Sequence, residues 1–161
     1  METINRIGEV LTDSINVACG VVVTVMTFLF GDYWFLFAGF LGLNIIDYIT
    51  GILKARYAGE INSVAGAKGI IKKTGYWLTI AIAFYISLTF QRMGTLIGVD
   101  LSFVVIFGWL TLALFIINEI RSVLENLVKI GVPVPAFLLK GMQVAEEAIK
   151  NKTGDSNDGD R

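Results

Sequence analysis

Histidine is absent from this chain, cysteine occurs once, at Cys19, and proline twice, at Pro133 and Pro135. With no histidine and a lone thiol there is no HExxH, no CxxC and no other His/Cys cluster, so the usual metal sites and activated nucleophiles have nothing to be built from. No cofactor, no metal and no enzymatic activity is expected. An intrachain disulfide is equally excluded, and Cys19, set in an apolar run, reads as a small packing residue. Charge is scarce as well: 17% of the residues are charged, 13 basic against 14 acidic, for a formal net charge of −1. That balance argues against nucleic acid as a partner.

What fills the chain instead is apolar. Of 161 residues 55% are hydrophobic, and the mean hydropathy is +0.69, too high for an ordinary soluble domain of this length. The fold class expected is an all-α integral membrane protein with about four transmembrane helices, three being the alternative, and short amphipathic helices at the N- and C-terminal ends. Membrane lipid is then an obligatory partner.

Residues 1–13 place Ile4, Ile7 and Leu11 on one side and Glu2, Arg6, Glu9 and Asp13 elsewhere, a weakly amphipathic segment suited to the membrane surface. A signal peptide is the rival reading, but the segment before the apolar run is acidic and no small-x-small cleavage site follows, so retention is expected. Residues 14–130 form the transmembrane domain. Its spans are expected at about 14–31, 33–53, 74–91 and 101–120, the last helix running on to 130. Three of these hold uncharged runs of 18 residues (14–31, 74–91 and 101–118), about 27 Å of helix each and just enough to cross the hydrocarbon core. Tyr33 and Trp34 open the second span as interfacial aromatics after the turn at Gly31 and Asp32, so the first two spans are expected as a hairpin. In the three-span form the first run lies in the interface. Residues 92–100 fit a short outer loop. The sequence Gly131-Val-Pro-Val-Pro stops the last helix. Residues 131–150 then comprise this break and an amphipathic helix with Leu138, Met142, Ala145 and Ile149 on one edge, and 151–161 read as a disordered tail.

The chain is organised around residues 44–73. Asn44, Asp47, Gly51 and Lys54 recur at i, i+3, i+7 and i+10 along one helical stripe, while Ile45, Ile46, Ile49, Ile52 and Leu53 cover the rest. That stripe should face protein or water, because an acid near the centre of a spanning helix costs about 2.5–3.5 kcal/mol. Three readings of Asp47 stay open. It pins two helices by pairing with Arg121 or a lysine of the inner loop; with Asn44 it faces an oligomeric interface or a water-filled path; or it serves proton-coupled transport. The segment from 54 to 73 is expected as a loop whose Lys54, Arg56, Lys68, Lys72 and Lys73 face one acid, Glu60, and such a basic excess marks the cytoplasmic side. Gly59, Ser63, Gly66 and Gly69 give that loop a flexible turn, with no phosphate-cradling pattern among them. Both termini are then cytoplasmic in the four-span form. A second polar cluster, Asn118, Glu119, Arg121, Ser122, Glu125 and Asn126, sits at the inner end of the fourth span, where a solvated helix end with an Arg121–Glu125 pair is the plain reading. Ala38, Gly39 and Gly42 form a small-residue patch at which another helix can approach.

Taken together, Asp47, Gly51, Lys54 and Ala55 in DYITGILKA, then Asn62, Ser63, Gly66, Gly69, Lys72 and Lys73, then Asn118, Glu119, Ser122, Glu125, Asn126 and GVPVP at 131–135 resemble the toxin secretion/phage lysis holin family over about residues 40–140. These are holins of phages of Gram-positive bacteria, together with relatives that release clostridial toxins. The resemblance implies a homo-oligomer in the bacterial cytoplasmic membrane that forms lesions. Endolysin or a secreted toxin escapes through them, as a functional partner that need not touch the holin. It makes Asn44, Asp47, Gly51, Lys54, Asn118, Glu119, Arg121, Ser122 and Glu125 candidates for the oligomer interface or pore, and Arg56, Lys68, Lys72 and Lys73 the inner basic loop. The basic tail common among holins is missing, since 151–161 is mixed and slightly acidic. From the residues alone, a short chain without a catalytic set or soluble domain must act by assembly. A small-solute channel or transporter subunit is the competing function, and a membrane scaffold without a pore the third.

Overall fold

The computed structural model describes residues 2–153. Among these every regular element is helical, in keeping with an all-α membrane protein: α1 (Glu2–Phe30), α2 (Trp34–Tyr57), α3 (Ser63–Ile97), α4 (Val105–Lys129) and α5 (Ala136–Thr153), with 3₁₀ turns at Gly31–Tyr33 and Ser102–Val104. The chain divides into two units, residues 1–36 and 37–161. Three stretches are long and apolar enough to cross a membrane: Arg6–Tyr57, Gly66–Ile97 and Ser102–Lys129. The first of these contains both α1 and α2. At 29 and 24 residues, about 43 and 36 Å of helix, each is long enough to cross by itself.

In the N-terminal unit one helix runs unbroken from Glu2 to Phe30, so the boundary expected at residue 13 is not there. Nothing in the sequence around Asp13 ends a helix, and the hydroxyls of Thr12, Ser14 and Thr24 donate back to the carbonyls of Gly8, Val10 and Gly20 at 2.8 Å. Such back-bonding lets hydroxyl residues ride in an apolar helix without an unsatisfied donor.

In the second unit α3 differs most from expectation. The segment 54–73 is not a loop: α2 continues to Tyr57, and α3 starts at Ser63, which puts Gly66, Lys68, Gly69, Lys72 and Lys73 on helix. Asn62 starts α3 as its N-cap, its Oδ1 accepting from the Val64 amide at 2.9 Å. With no proline between Asn62 and Ile97 nothing interrupts the winding. The expected outer loop at 92–100 shrinks likewise, because α3 runs to Ile97 and ends at Gly98 with φ +72°. The Val99 amide there donates to the Gly94 carbonyl at 2.9 Å, the six-to-one bond of a Schellman motif, which needs the left-handed residue that glycine supplies. Asp100 then caps the turn into α4, accepting from the Ser102 amide at 2.9 Å. That bond holds the exposed carboxyl below its ordinary range.

α4 runs without a break to Lys129 and stops before Pro133. α5 follows after the proline break, and it includes Asn151, Lys152 and Thr153. The tail expected at 151–161 is therefore helical at its start, and 154–161 lie outside the described residues. α3 and α4 pack antiparallel, with Ser87 Oγ donating to the Val104 carbonyl at 3.0 Å and Tyr76 stacked on Phe115 at 4.4 Å between ring centroids. Between these levels Phe84 meets Trp109 edge-on at 4.9 Å. Gly108 allows that approach: a Cβ there would stand 2.9 Å from the Phe84 ring. At Gly39 and Gly42, by contrast, an added Cβ meets nothing within 4 Å. Phe40 of α2, fully buried, reaches Phe115 of α4 at 6.4 Å, so α2, α3 and α4 share one core.

Candidate functional site

At one end of this three-helix core a charged cluster lies between the helices. Lys73 of α3 places its Nζ 2.9 Å from Asp47 Oδ2 of α2 and in contact with Glu119 Oε2 of α4. One ammonium therefore serves two carboxylates on two other helices. Asn126 of α4 adds Nδ2 bonds of 3.0 Å to Asp47 Oδ1 and 3.3 Å to Thr50 Oγ1, and the Thr50 hydroxyl donates to the Asp47 carbonyl at 3.0 Å. Glu119 is 1% exposed, Asn126 5% and Thr50 7%, while the side chains of Lys73 and Asp47 are part-buried at 15% and 14%. Buried charges are tolerated only when paired and hydrogen-bonded in this way.

Helical spacing explains who takes part. Asp47 and Thr50 are three apart on α2, while Glu119 and Asn126 are seven apart on α4, so each pair shares a face. Asn44, one turn before Asp47, is 4% exposed and donates to the Phe40 carbonyl at 2.7 Å. Gly51 completes the stripe, where a Cβ would lie 3.8 Å from Asn126 Nδ2. The stripe thus faces the protein's own interior, while Ile45, Ile46, Ile49, Ile52 and Leu53 are exposed. Lys54 is half-buried at its end.

Of the two partners expected for Asp47, the lysine is the one found, although it belongs to a helix and not to a loop. Arg121 turns outward. Its Nε meets Glu125 Oε1 at 2.9 Å, and its Nη1 reaches Glu146 Oε2 of α5 at 3.2 Å. Glu146 also receives Lys150 at 2.8 Å. The Lys150 hydrogen bond chiefly, helped by the charges of Lys150 and Arg121, holds the Glu146 carboxyl below its ordinary range against the opposing effect of burial. Asn118, Glu125, Arg56, Lys68 and Lys72 are exposed and Ser122 is half-buried, so of the second polar cluster only Glu119 and Asn126 join Asp47. Lys72 lies 5.8 Å from the Tyr76 ring centroid, a distance at which a cation over a ring is attracted. The sequence pattern does not mark Thr50 or the tie from α5 through Glu146. The i, i+3 relation of Thr50 to Asp47 was the available signal; nothing comparable marked Glu146.

The sequence pattern of the bacteriophage holin family matches residues 24–147, which takes in α2, α3, α4 and most of α5. The chain belongs to the bacteriophage holin family. A protein of Bacillus phage phi105 described as a probable holin is 34% identical over 126 residues, covering 78% of this chain and 84% of the phage protein. Uncharacterised proteins of Listeria monocytogenes and Halalkalibacterium halodurans are 30% and 29% identical, over 84% and 79% of this chain and 89% and 90% of theirs. No solved structure matches the chain. A holin is a membrane protein without enzymatic chemistry, and the three apolar stretches make this one multi-pass.

Proposed function

We propose that this holin homo-oligomerises in the bacterial cytoplasmic membrane and opens lesions through which an endolysin or a toxin leaves the cell, ending in lysis or export. The observation that carries the reading is the family match over 24–147, together with the 34% identity to the probable holin of phage phi105. Physical reasoning supports assembly, since the spanning helices of one copy are too few to enclose a path wide enough for a folded protein. In this reading α1 and α2 cross separately, giving four crossings with both termini in the cytoplasm. Lys54, Arg56, Lys68 and Lys72 at the α2–α3 turn support that orientation through the inward bias of basic residues.

Expression of the chain alone, then together with a cytoplasmic endolysin, tests the proposal by culture density. Induction of both should bring abrupt lysis, and the endolysin without the holin should not. Leakage of ions or dye with the endolysin retained inside would favour a small-solute channel instead. No leakage of any kind would leave only a scaffold.

A further inference from the structure

We infer that the Asp47–Lys73–Glu119 cluster is a latch: the packing of α2 on α3 and α4 is the closed form of the protomer, and α2 must come away before the chain can line a water-filled lesion. The inference rests on the lesion-forming reading above and adds its regulation. A wall facing water needs polar side chains. At the depth of the cluster the outward face of α2 offers Ile45, Ile46, Ile49, Ile52 and Leu53, all exposed. The polar residues of the same depth, Asn44, Asp47, Thr50, Lys73, Glu119 and Asn126, are turned between the helices. On the outside at this level stand Tyr48 of α2, Lys72 and Thr74 of α3, and Asn118, Arg121 and Glu125 of α4. In this form α2 presents an outer face that is apolar but for Tyr48, so association through α2 makes dry contacts and no wet wall. Separating α2 from α3 and α4 moves the whole stripe to a surface that water can wet.

Two features make this a releasable contact. The charges do not balance, since one ammonium holds two carboxylates and the nearby Arg121 is committed on the outer surface to Glu125 and Glu146. A buried excess of one sign is better solvated outside than in, which sets the latch against its own burial. In addition Asn44 Oδ1 is buried with no hydrogen-bond partner among the described residues. A buried acceptor left unpaired is unfavourable, and exposure to water relieves it.

The test uses the full chain in lipid vesicles holding a trapped dye, in a Cys19→Ser background. Thr50→Cys with Asn126→Cys replaces side chains whose polar atoms lie 3.3 Å apart. α2 and α4 nowhere bring Cα atoms within 8 Å of each other, too far for a direct disulfide, so a short bis-thiosulfonate reagent, cleavable by reductant, ties α2 to α4. The untreated pair and the parent should release dye, the cross-linked pair should retain it, and reductant should restore release. Release from fully cross-linked protein at the untreated rate overturns the latch and leaves the lesion reading standing. No release from the parent overturns the lesion reading and the latch with it. Because that pair removes Asn126 from the cluster, Asn44→Cys serves as a second variant that keeps every ion pair. Its thiol, at a position 4% exposed, should resist an aqueous thiol reagent until release begins and react many times faster afterwards. Equal reactivity before and after the onset overturns the latch.

Discussion

Lys73 is the residue whose loss should matter most, because its Nζ is the shared counter-charge for Asp47 and Glu119. Lys73→Met keeps the apolar stem and leaves two carboxylates facing each other unpaired, and breaking a buried pair in this way costs about 3–5 kcal/mol. Asp47→Asn or Glu119→Gln leaves one carboxylate with one ammonium and should cost on the order of 1 kcal/mol, the worth of a hydrogen bond. Melting midpoints in detergent should therefore rank Lys73→Met far below either acid variant. A Lys73→Met protein as stable as Asp47→Asn would show that the ammonium does not hold both. Asp47 was legible as a buried acid because it stands alone among isoleucines on a spanning helix. Its partner was not, since Lys73 differs in no local respect from Lys68 or Lys72, and only the packing of α3 decides which of the three points inward.

At the scale of elements the contact of α3 with α4 depends on the missing side chain at Gly108. Gly108→Ala puts a Cβ 2.9 Å from the Phe84 ring, itself 2% exposed, and overpacking of that kind costs about 1–3 kcal/mol. Gly141→Ala, which meets nothing within 4 Å, should instead stabilise α5 slightly through helix propensity. Thermal unfolding of the two variants should shift in opposite directions; equal shifts would mean that the helices do not close at Gly108. α5 is tied to α4 by Arg121 and Glu146. Since the folded protein holds the Glu146 carboxyl below its ordinary value of about 4.5, its contribution is fully present above that value and fades as pH falls through the lower folded value. Hydrogen exchange over 136–150, corrected for the intrinsic rate, should rise as the pH is taken from 6 to below 4, and Arg121→Gln should raise it already at pH 7. Unchanged protection across that range would remove the ion pair from the docking of α5. The ends of these elements were partly legible: the proline break and the run of α4 past residue 120 follow from local sequence. The length of α3 did not, because its lysines and glycines look like a loop until the Asn62 cap and the absence of a breaker are taken together.

For the whole molecule the orientation in the membrane is the first thing to measure. Val64→Cys and Thr95→Cys, both at exposed positions near opposite ends of α3, should react with an impermeant thiol reagent from the cytoplasmic and outer sides respectively, in a Cys19→Ser background and before any lesion forms. Labelling of position 64 from outside would invert the topology. Membrane residence and the helical class were determined by the sequence by itself, because long uncharged runs have no other stable fate than to cross or line a bilayer, and in lipid the backbone must bond within its own helix. The likeness to holins was legible too, carried by residues spread from 40 to 140. Only the tertiary structure decided that the polar stripe of α2 is occupied within the same copy. Asp47 and Glu119 lie on helices separated by the whole of α3, and helical periodicity tells which face a residue takes but not which other face it meets.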